Sequence, residues 1–477
     1  MNLLHWTLIV LNLFVVFIAA GHALFYKRDP RAALGWIAVC VIFPLAGPLL
    51  YYLFGINRVR TKAKKLERRT PFQIDLPQKR DEKKRPFEEI WLHLPEEARE
   101  IARVSEAVTR RPLVAGNSVQ MFHNGEQAYP SMIEAIEEAE RFLYLSTYIF
   151  ETNNTGRSFI EALGRAVERG VDVRVIIDGV GELYSSPRPR KLMRKRGINV
   201  ARFLPPRLFP PSVHINLRNH RKIIVADGQV AFAGGMNIGD RHLADNSANK
   251  DRVVDVHFRV TGPVVSQMEE IFLQDWAFTT GQRESQTSPA CSETGNMICR
   301  AIMDGPNEDP DKLAMILVAA FGLARRKAMV MTPYFLPSRE LIGAMQAAAL
   351  RGVEVVVVLP AKNNLPFVHW ATRNMLWELL QRGVRVYYQP PPFVHTKLFV
   401  MDDCYALVGS ANIDPRSLRL NFEFALEIFE NDFCAILRAH FEKTLRHSGE
   451  ITLQEVDSRP LPARTRDALS WLFTPYL

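Results

Sequence analysis

The sequence predicts a duplicated α/β body with pseudo-two-fold symmetry, preceded by an N-terminal transmembrane helical hairpin. Three observations carry that expectation. Two stretches without a charged side chain open the chain, from Met1 to Tyr26 and from Ala32 to Asn57. The pattern His-x-Lys-x4-Asp occurs twice, as His220, Lys222, Asp227 and as His395, Lys397, Asp402. Around each copy the same apolar runs recur, punctuated by Arg-Gly-Val or Arg-Gly-Ile.

Each uncharged stretch exceeds the ~20 residues a helix needs to cross the hydrocarbon of a bilayer. The first has neither a basic leader nor a small-residue cleavage site, which favours an anchor over a removable signal. The expected helices cover residues 3–26 and 32–56 of a transmembrane unit spanning 1–57. Lys27-Arg28-Asp29-Pro30-Arg31 forms the polar turn, and Trp6, Trp36, Tyr51 and Tyr52 suit the interfaces. Pro44, Gly47 and Pro48 interrupt the second stretch, so a kinked or re-entrant segment competes there with a full span.

The net charge of +9 is not spread over the 477 residues. Residues 58–85 hold twelve Lys or Arg against four Asp or Glu, the turn at 27–31 adds +2, and residues 86–477 sum to about −1. A basic run beside a membrane anchor reads as contact with anionic headgroups. By the positive-inside rule it places the body on the cytoplasmic side. A body this close to neutral has no bias toward a polyanion, and nucleic acid is not an expected partner. Residues 58–112, with Pro71, Pro77 and Pro86 among mixed charges, read as a basic juxtamembrane linker. The five cysteines form no CxxC pair or zinc-like cluster and read as reduced, partly buried thiols. No metal or other cofactor is expected.

Beyond Pro112 the elements repeat. Phe142–Phe150 matches Ala328–Phe335, Arg169–Asp178 matches Arg351–Pro360, and Arg196–Phe203 matches Arg382–Gln389. Each Arg-Gly follows a helical pattern and precedes a β-branched run, so the glycine serves as a helix C-cap before a strand. Strand, helix, strand, helix, strand implies an α/β sheet with right-handed crossovers in each half. The repeats are expected over 113–285 and 286–477, parted by the polar stretch Thr280–Ala290.

On an extended strand, residues i and i+2 share a face, so His220 lies beside Lys222 and His395 beside Lys397. Asp227 and Asp402 lie about 23 Å further along a straight strand. They are expected to brace hairpins rather than to meet substrate. Two-residue turns at Asp227-Gly228 and Asp402-Asp403 would set His220 opposite Gly235 and His395 opposite Ser410. These small residues would leave room for a ligand, with Asn237 and Asn412 just beyond as hydrogen-bond donors. Two such units meeting face to face suit phosphoryl chemistry. Paired Lys and Asn hold the non-bridging oxygens, one His attacks phosphorus and the other moves the proton. Arg241 and Arg416 follow each Asn by four residues, as partners for acids, as headgroup ligands or as solvated side chains.

The paired motif with its trailing Gly-(Gly/Ser)-x-Asn resembles the phospholipase D superfamily. Within it, the stretch Trp36–Asn57 and both halves are similar to the bacterial cardiolipin synthases. The resemblance implies duplicated phospholipase-D-like domains in a multi-pass protein of the bacterial inner membrane. It further implies an enzyme that joins two phosphatidylglycerols into cardiolipin and releases glycerol through a phosphatidyl-histidine. His220, Lys222, Asp227, His395, Lys397 and Asp402 match the family's catalytic pattern, with His220 expected as nucleophile and His395 as acid/base. Family members also place an acid beside the imidazole; Glu423 fits the second copy and Asp255 the first. Gly235 stands where the family often has Ser, which Ser410 retains. Hydrolysis of a phospholipid, or less readily of nucleic acid, is the alternative. The apolar tail Leu461–Leu477 is expected to pack on the core in preference to grazing the bilayer.

Overall fold

The computed structural model describes residues 3–27, 30–56, 88–206, 217–282, 291–305 and 311–474. The basic run at 58–85, the polar break at 283–290 and the end of the tail lie outside the described residues. The chain forms two compact units, 1–66 and 67–477.

In the first unit, Leu3–Tyr26 is one helix, and its segment His5–Tyr26 is long and apolar enough to cross a membrane. The second stretch departs from the single helix expected over 32–56. A helix Pro30–Ile42 stops, a short helix Ala46–Leu50 follows, and a wider helical turn closes Tyr51–Gly55. Prolines at 44 and 48 deny the ladder two N–H groups. Thirteen residues rise only about 20 Å, short of a ~30 Å hydrocarbon core. The chain then doubles back. The Tyr51 ring meets Trp36 at 5.4 Å, and its hydroxyl lies 2.7 Å from His22 Nδ1. Gly47 allows the return, because a Cβ there would sit 2.3 Å from the Val39 carbonyl. Val16, Ala19, Ala23, Cys40 and Tyr51 form the small core of this unit.

The second unit is built on a fifteen-stranded sheet. Its first half runs, in spatial order, Asn199–Phe203, Asp172–Asp178, Phe142–Thr147, Ile223–Ala226, Val230–Gly234, Val256–Thr261 and Val114–His123. The second half repeats that order with Arg385–Gln389, Glu354–Pro360, Lys327–Met331, Leu398–Met401, Tyr405–Gly409, Glu423–Phe429 and Met297–Asp304. Gly449–Ile451 is added at its outer edge. The halves join where Val114–His123 and Met297–Asp304 pair antiparallel, so the pseudo-two-fold runs through that junction. Parallel neighbours are linked by helices, and Gly170, Gly197, Gly352 and Gly383 all take the left-handed φ that ends a helix.

Part of the expected linker is core instead. Glu88–His93 and Glu96–Thr109 are helices, and Leu94, Ala98, Ile101 and Ala102 are buried with the second half's core beside Ile316 and Phe321. The three-to-four spacing of those small and apolar residues made the helix legible, but the charges between them read as linker. At the other end, helix Leu461–Leu472 packs on helix Pro366–Leu380. The buried Asp467 accepts from Arg459 and Arg466 and pairs across the contact with Arg373 of helix Pro366–Leu380 at 3.7 Å. All five cysteines are free and buried.

Candidate active site

Each histidine lies just before a short strand and is held in place by backbone from the opposite repeat. His220 N–H donates to Phe422 O at 2.9 Å, and His395 N–H donates to Val254 O at 2.8 Å. One residue further along each acceptor segment stands an acid. His220 Nδ1 therefore lies 3.0 Å from Glu423 Oε2, and His395 Nδ1 lies 3.0 Å from Asp255 Oδ2. This corrects the pairing within each copy that the spacing suggested: Glu423 serves the first histidine and Asp255 the second. Both acids are fully buried. The two imidazoles face one another with ring centroids 6.5 Å apart at 77°.

The lysines share the histidine face as alternation requires. Lys222 Nζ donates to His220 O at 2.7 Å and stands 5.7 Å over the Tyr148 ring. Lys397 Nζ donates to His395 O at 2.5 Å and also lies 3.0 Å from His395 Nδ1. Burial, the largest influence, pushes Lys222 down to about 7 and Lys397 to about 8. Burial likewise lowers both histidines, and the two lysines push each the same way. His220 falls less because Glu423 opposes the shift, whereas His395 falls well below its ordinary value. The acids diverge. Burial alone would raise Glu423, but the charges of His220 and Lys222 and the Ser410 hydroxyl hold it below its ordinary value. Burial carries Asp255 up to about 7 against the pull of Lys397.

The hairpins differ by one residue from expectation. Ala226 faces Val230 and Met401 faces Tyr405, so each turn holds three residues rather than two, and each His lies one place off the predicted partner. Asp227 and Asp402 make that turn. Both adopt left-handed φ, 54° and 52°, which Asp tolerates better than most residues. The Asp227 carboxylate accepts from the N–H groups of Glu140, Arg141 and Phe142, each at 2.8 Å. Asp402 accepts from Arg325, Arg326 and Lys327 at 3.0, 2.8 and 2.9 Å. Each aspartate thus fastens its hairpin to the start of the neighbouring strand, far from the imidazoles.

The small residues behind the histidines make room for protein, not for a ligand. A Cβ on Gly235 would sit 2.4 Å from Asp255 Oδ2. Ser410, which takes the corresponding place, donates its hydroxyl to Glu423 Oε2 at 2.6 Å. Asn237 and Asn412 are buried in the cavity wall. Asn237 Oδ1 accepts from Ile149 N–H at 3.1 Å, which turns its amide donors elsewhere, whereas Asn412 Nδ2 donates to Ser417 Oγ at 3.0 Å.

The cavity in front of the pair has a volume near 1060 Å³ and is walled by His220, His395, both asparagines, Arg241, Arg416 and the aromatic rings of Tyr148, Tyr334 and Phe393. The motif search missed Tyr148 and Tyr334, whose rings stand 5.4 and 6.3 Å from His220 and His395. The aromatic ends of the two matched strands were the available signal. It also missed Asp178, which accepts from Asn219 N–H at 3.0 Å and pairs with Arg218 at 3.1 Å, holding the approach to His220. Arg221 points to the other face, where it pairs with Asp275 and donates to Glu423 O at 2.9 Å, tying the two halves together.

Residues 132–276 and 317–445 match the family "Cardiolipin synthase, PLD-like domain", and residues 10–55 match "Phospholipase_D-nuclease N-terminal". The chain is 31% identical to a cardiolipin synthase of Geobacillus kaustophilus over 98% of its own length and 93% of that protein. With the major cardiolipin synthase of Bacillus subtilis the identity is 30%, over 94% of this chain and 95% of the other. Among solved structures, the phosphatidylserine synthase of Haemophilus influenzae shares the fold with a TM-score of 0.62 at 15% identity, covering 79% of this chain and 100% of that one. The chain belongs to the bacterial cardiolipin synthases of the phospholipase D superfamily.

Proposed function

We propose that this protein transfers a phosphatidyl group from one phosphatidylglycerol to another, giving cardiolipin and glycerol. The observation that carries the mechanism is the different company kept by the two Nδ1 atoms. His220 Nδ1 faces only acceptors, Glu423 Oε2 at 3.0 Å and Ser410 O at 3.2 Å. The ring proton therefore belongs on Nδ1, leaving a lone pair on Nε2 for attack on phosphorus. His395 Nδ1 lies 3.0 Å from the Lys397 ammonium, which can only donate, and from Asp255, which near pH 7 is partly protonated. Its ring proton is thereby directed to Nε2, where a leaving alcohol can take it.

His220 Nε2 bonds phosphorus as the glycerol oxygen leaves with the Nε2 proton of His395. In exchange, His395 Nδ1 takes a proton from the Lys397 ammonium or the Asp255 carboxyl beside it, so that the ring stays neutral. The exchange runs back when His395 next acts as base. His395 then takes a proton from the free hydroxyl of a second phosphatidylglycerol. That oxygen bonds phosphorus while the bond to His220 breaks, and cardiolipin is complete. Lys222, Lys397 and the Asn237 amide are placed to offset the charge on the non-bridging oxygens. Asp227 and Asp402 act through the frame.

The chain is membrane-associated through its N-terminal apolar helix. We place the body on the cytoplasmic face. In the sequence a basic cluster follows each apolar stretch, at 27–31 and at 58–65, and the positive-inside rule assigns such clusters to the cytoplasmic side. A lipid substrate also accords with the apolar surface of the body. Leu365 and Phe367 line the cavity yet stay 42% and 60% exposed.

The test is product identification with full-length protein in detergent micelles containing phosphatidylglycerol. Cardiolipin and free glycerol should accumulate together; phosphatidic acid as the sole product would establish hydrolysis instead.

A further inference from the structure

Arg241 and Arg416 stand at the same place in the repeat and both line the cavity, but only one is engaged. Arg241 donates from Nε to Glu151 Oε1 at 2.8 Å and pairs with the same oxygen through Nη2. Glu151 follows Thr147 by four residues. The corresponding threonine is Thr332, since Thr147 and Thr332 each donate to the carbonyl two residues on, at 3.0 Å. Four residues after Thr332 stands Leu336, which is apolar and buried. The second repeat therefore has no acid where the first has Glu151.

A second exchange accompanies the first. Gly239, two residues after Asn237, leaves space for the Glu151 carboxylate, which a Cβ would meet at 2.1 Å. Asp414 takes that place in the second repeat, and its carboxylate is occupied by the Ser417 N–H at 2.6 Å. Among the described residues the Arg416 guanidinium has no ion pair and no hydrogen-bond acceptor, and its Nε is buried. Arg416 is half-buried and feels the Asp414 charge without a direct ion pair, so its guanidinium donors remain open to an anion that enters the cavity.

Building on the phosphatidyl-transfer reading, we propose that Arg416 binds the phosphate of the second, accepting phosphatidylglycerol. The reaction needs two phosphates in one cavity. The first sits at the His-Lys centre and is transferred. The second belongs to the acceptor, undergoes no chemistry, and is linked to the attacking hydroxyl by a three-carbon glycerol. Arg241, neutralised by Glu151, offers no equal site, so the two repeats receive donor and acceptor differently.

The experiment compares acceptors. Full-length wild type, Arg416→Gln and Arg416→Lys are given phosphatidylglycerol in micelles with and without 1-butanol, an acceptor that carries no phosphate. One charge-assisted contact corresponds to about a 10- to 100-fold change. Arg416→Gln should lower cardiolipin formation by that factor through a higher KM for the acceptor. Phosphatidylbutanol formation should fall far less, and Arg416→Lys should recover part of the loss. Equal losses on both acceptors, or no loss on either, would overturn the assignment. A wild-type enzyme that forms phosphatidylbutanol but never cardiolipin would remove the functional reading itself, and this one with it.

Discussion

Around His220 the carboxylate is Glu423, and the Ser410 hydroxyl donates to it at 2.6 Å. Around His395 the carboxylate is Asp255, and Gly235 replaces the serine because a side chain there would strike the acid. The exchanges go together: the longer acid with a serine, the shorter acid with a glycine. Their electrostatic result is that Glu423 is held ionised, while Asp255 is pushed to about 7. Lys397 reaches the ring of His395, whereas Lys222 bonds the carbonyl of His220 and stands over the Tyr148 ring. A duplicated frame thus carries one histidine beside a fixed negative charge and another beside a labile proton. The comparison teaches that pseudo-symmetry of the backbone need not impose symmetry of roles.

The strongest way to break the comparison is to separate the two half-reactions. His220→Ala and His395→Ala should each reduce turnover by at least about 10³-fold, near the upper range for a positioned acid, base or nucleophile. A phosphatidyl ester of nitrophenol needs no acid to release its alcohol. With it, His395→Ala should accumulate a covalent phosphatidyl-enzyme detectable by mass spectrometry, and His220→Ala should not. The reverse pattern would exchange the roles.

Removing the acids should act less strongly but unequally. Glu423→Gln leaves an amide where an anion fixed the His220 tautomer, and a loss of about 10²-fold in kcat is expected. Asp255→Asn should cost less at pH 6, where Asp255 is mostly neutral already. As pH rises through about 7, wild-type Asp255 becomes charged and draws the His395 proton toward Nδ1, so leaving-group protonation weakens. Asp255→Asn should flatten that alkaline decline in the kcat profile, and Glu423→Gln should keep it.

The smallest effects test the packing behind the acids. Gly235→Ala should destabilise the fold by roughly 1–3 kcal/mol, the usual range for overpacking, measurable as a lowered Tm. Ser410→Ala should hold its Tm within a few degrees and lose mainly rate. Equal thermal effects would mean that the two positions are not specialised.

Much of this was legible because it is local. Alternation puts His and Lys on one face, Arg-Gly ends the four helices that precede repeated strands, and the repeated strands impose the sheet order of one half on the other. Even the remote position of Asp227 and Asp402 follows from strand length. The turn size did not, because three backbone N–H groups from a neighbouring strand draw each aspartate into a left-handed conformation. Nor did the acid partners: His220 and Glu423 are 203 residues apart, His395 and Asp255 140 apart. Each pair is created by backbone crossing between repeats.

By itself the sequence determined the duplication, the two His-Lys faces, the helix ends and an apolar N-terminus interrupted by proline, since each depends on neighbours along the chain. Only the tertiary structure decided which acid serves which histidine, that the second apolar stretch doubles back, and that Arg241 is paired while Arg416 is not. Those outcomes depend on which groups meet across space, where burial and the nearest charge set protonation and where one missing carboxylate leaves a guanidinium open to a ligand.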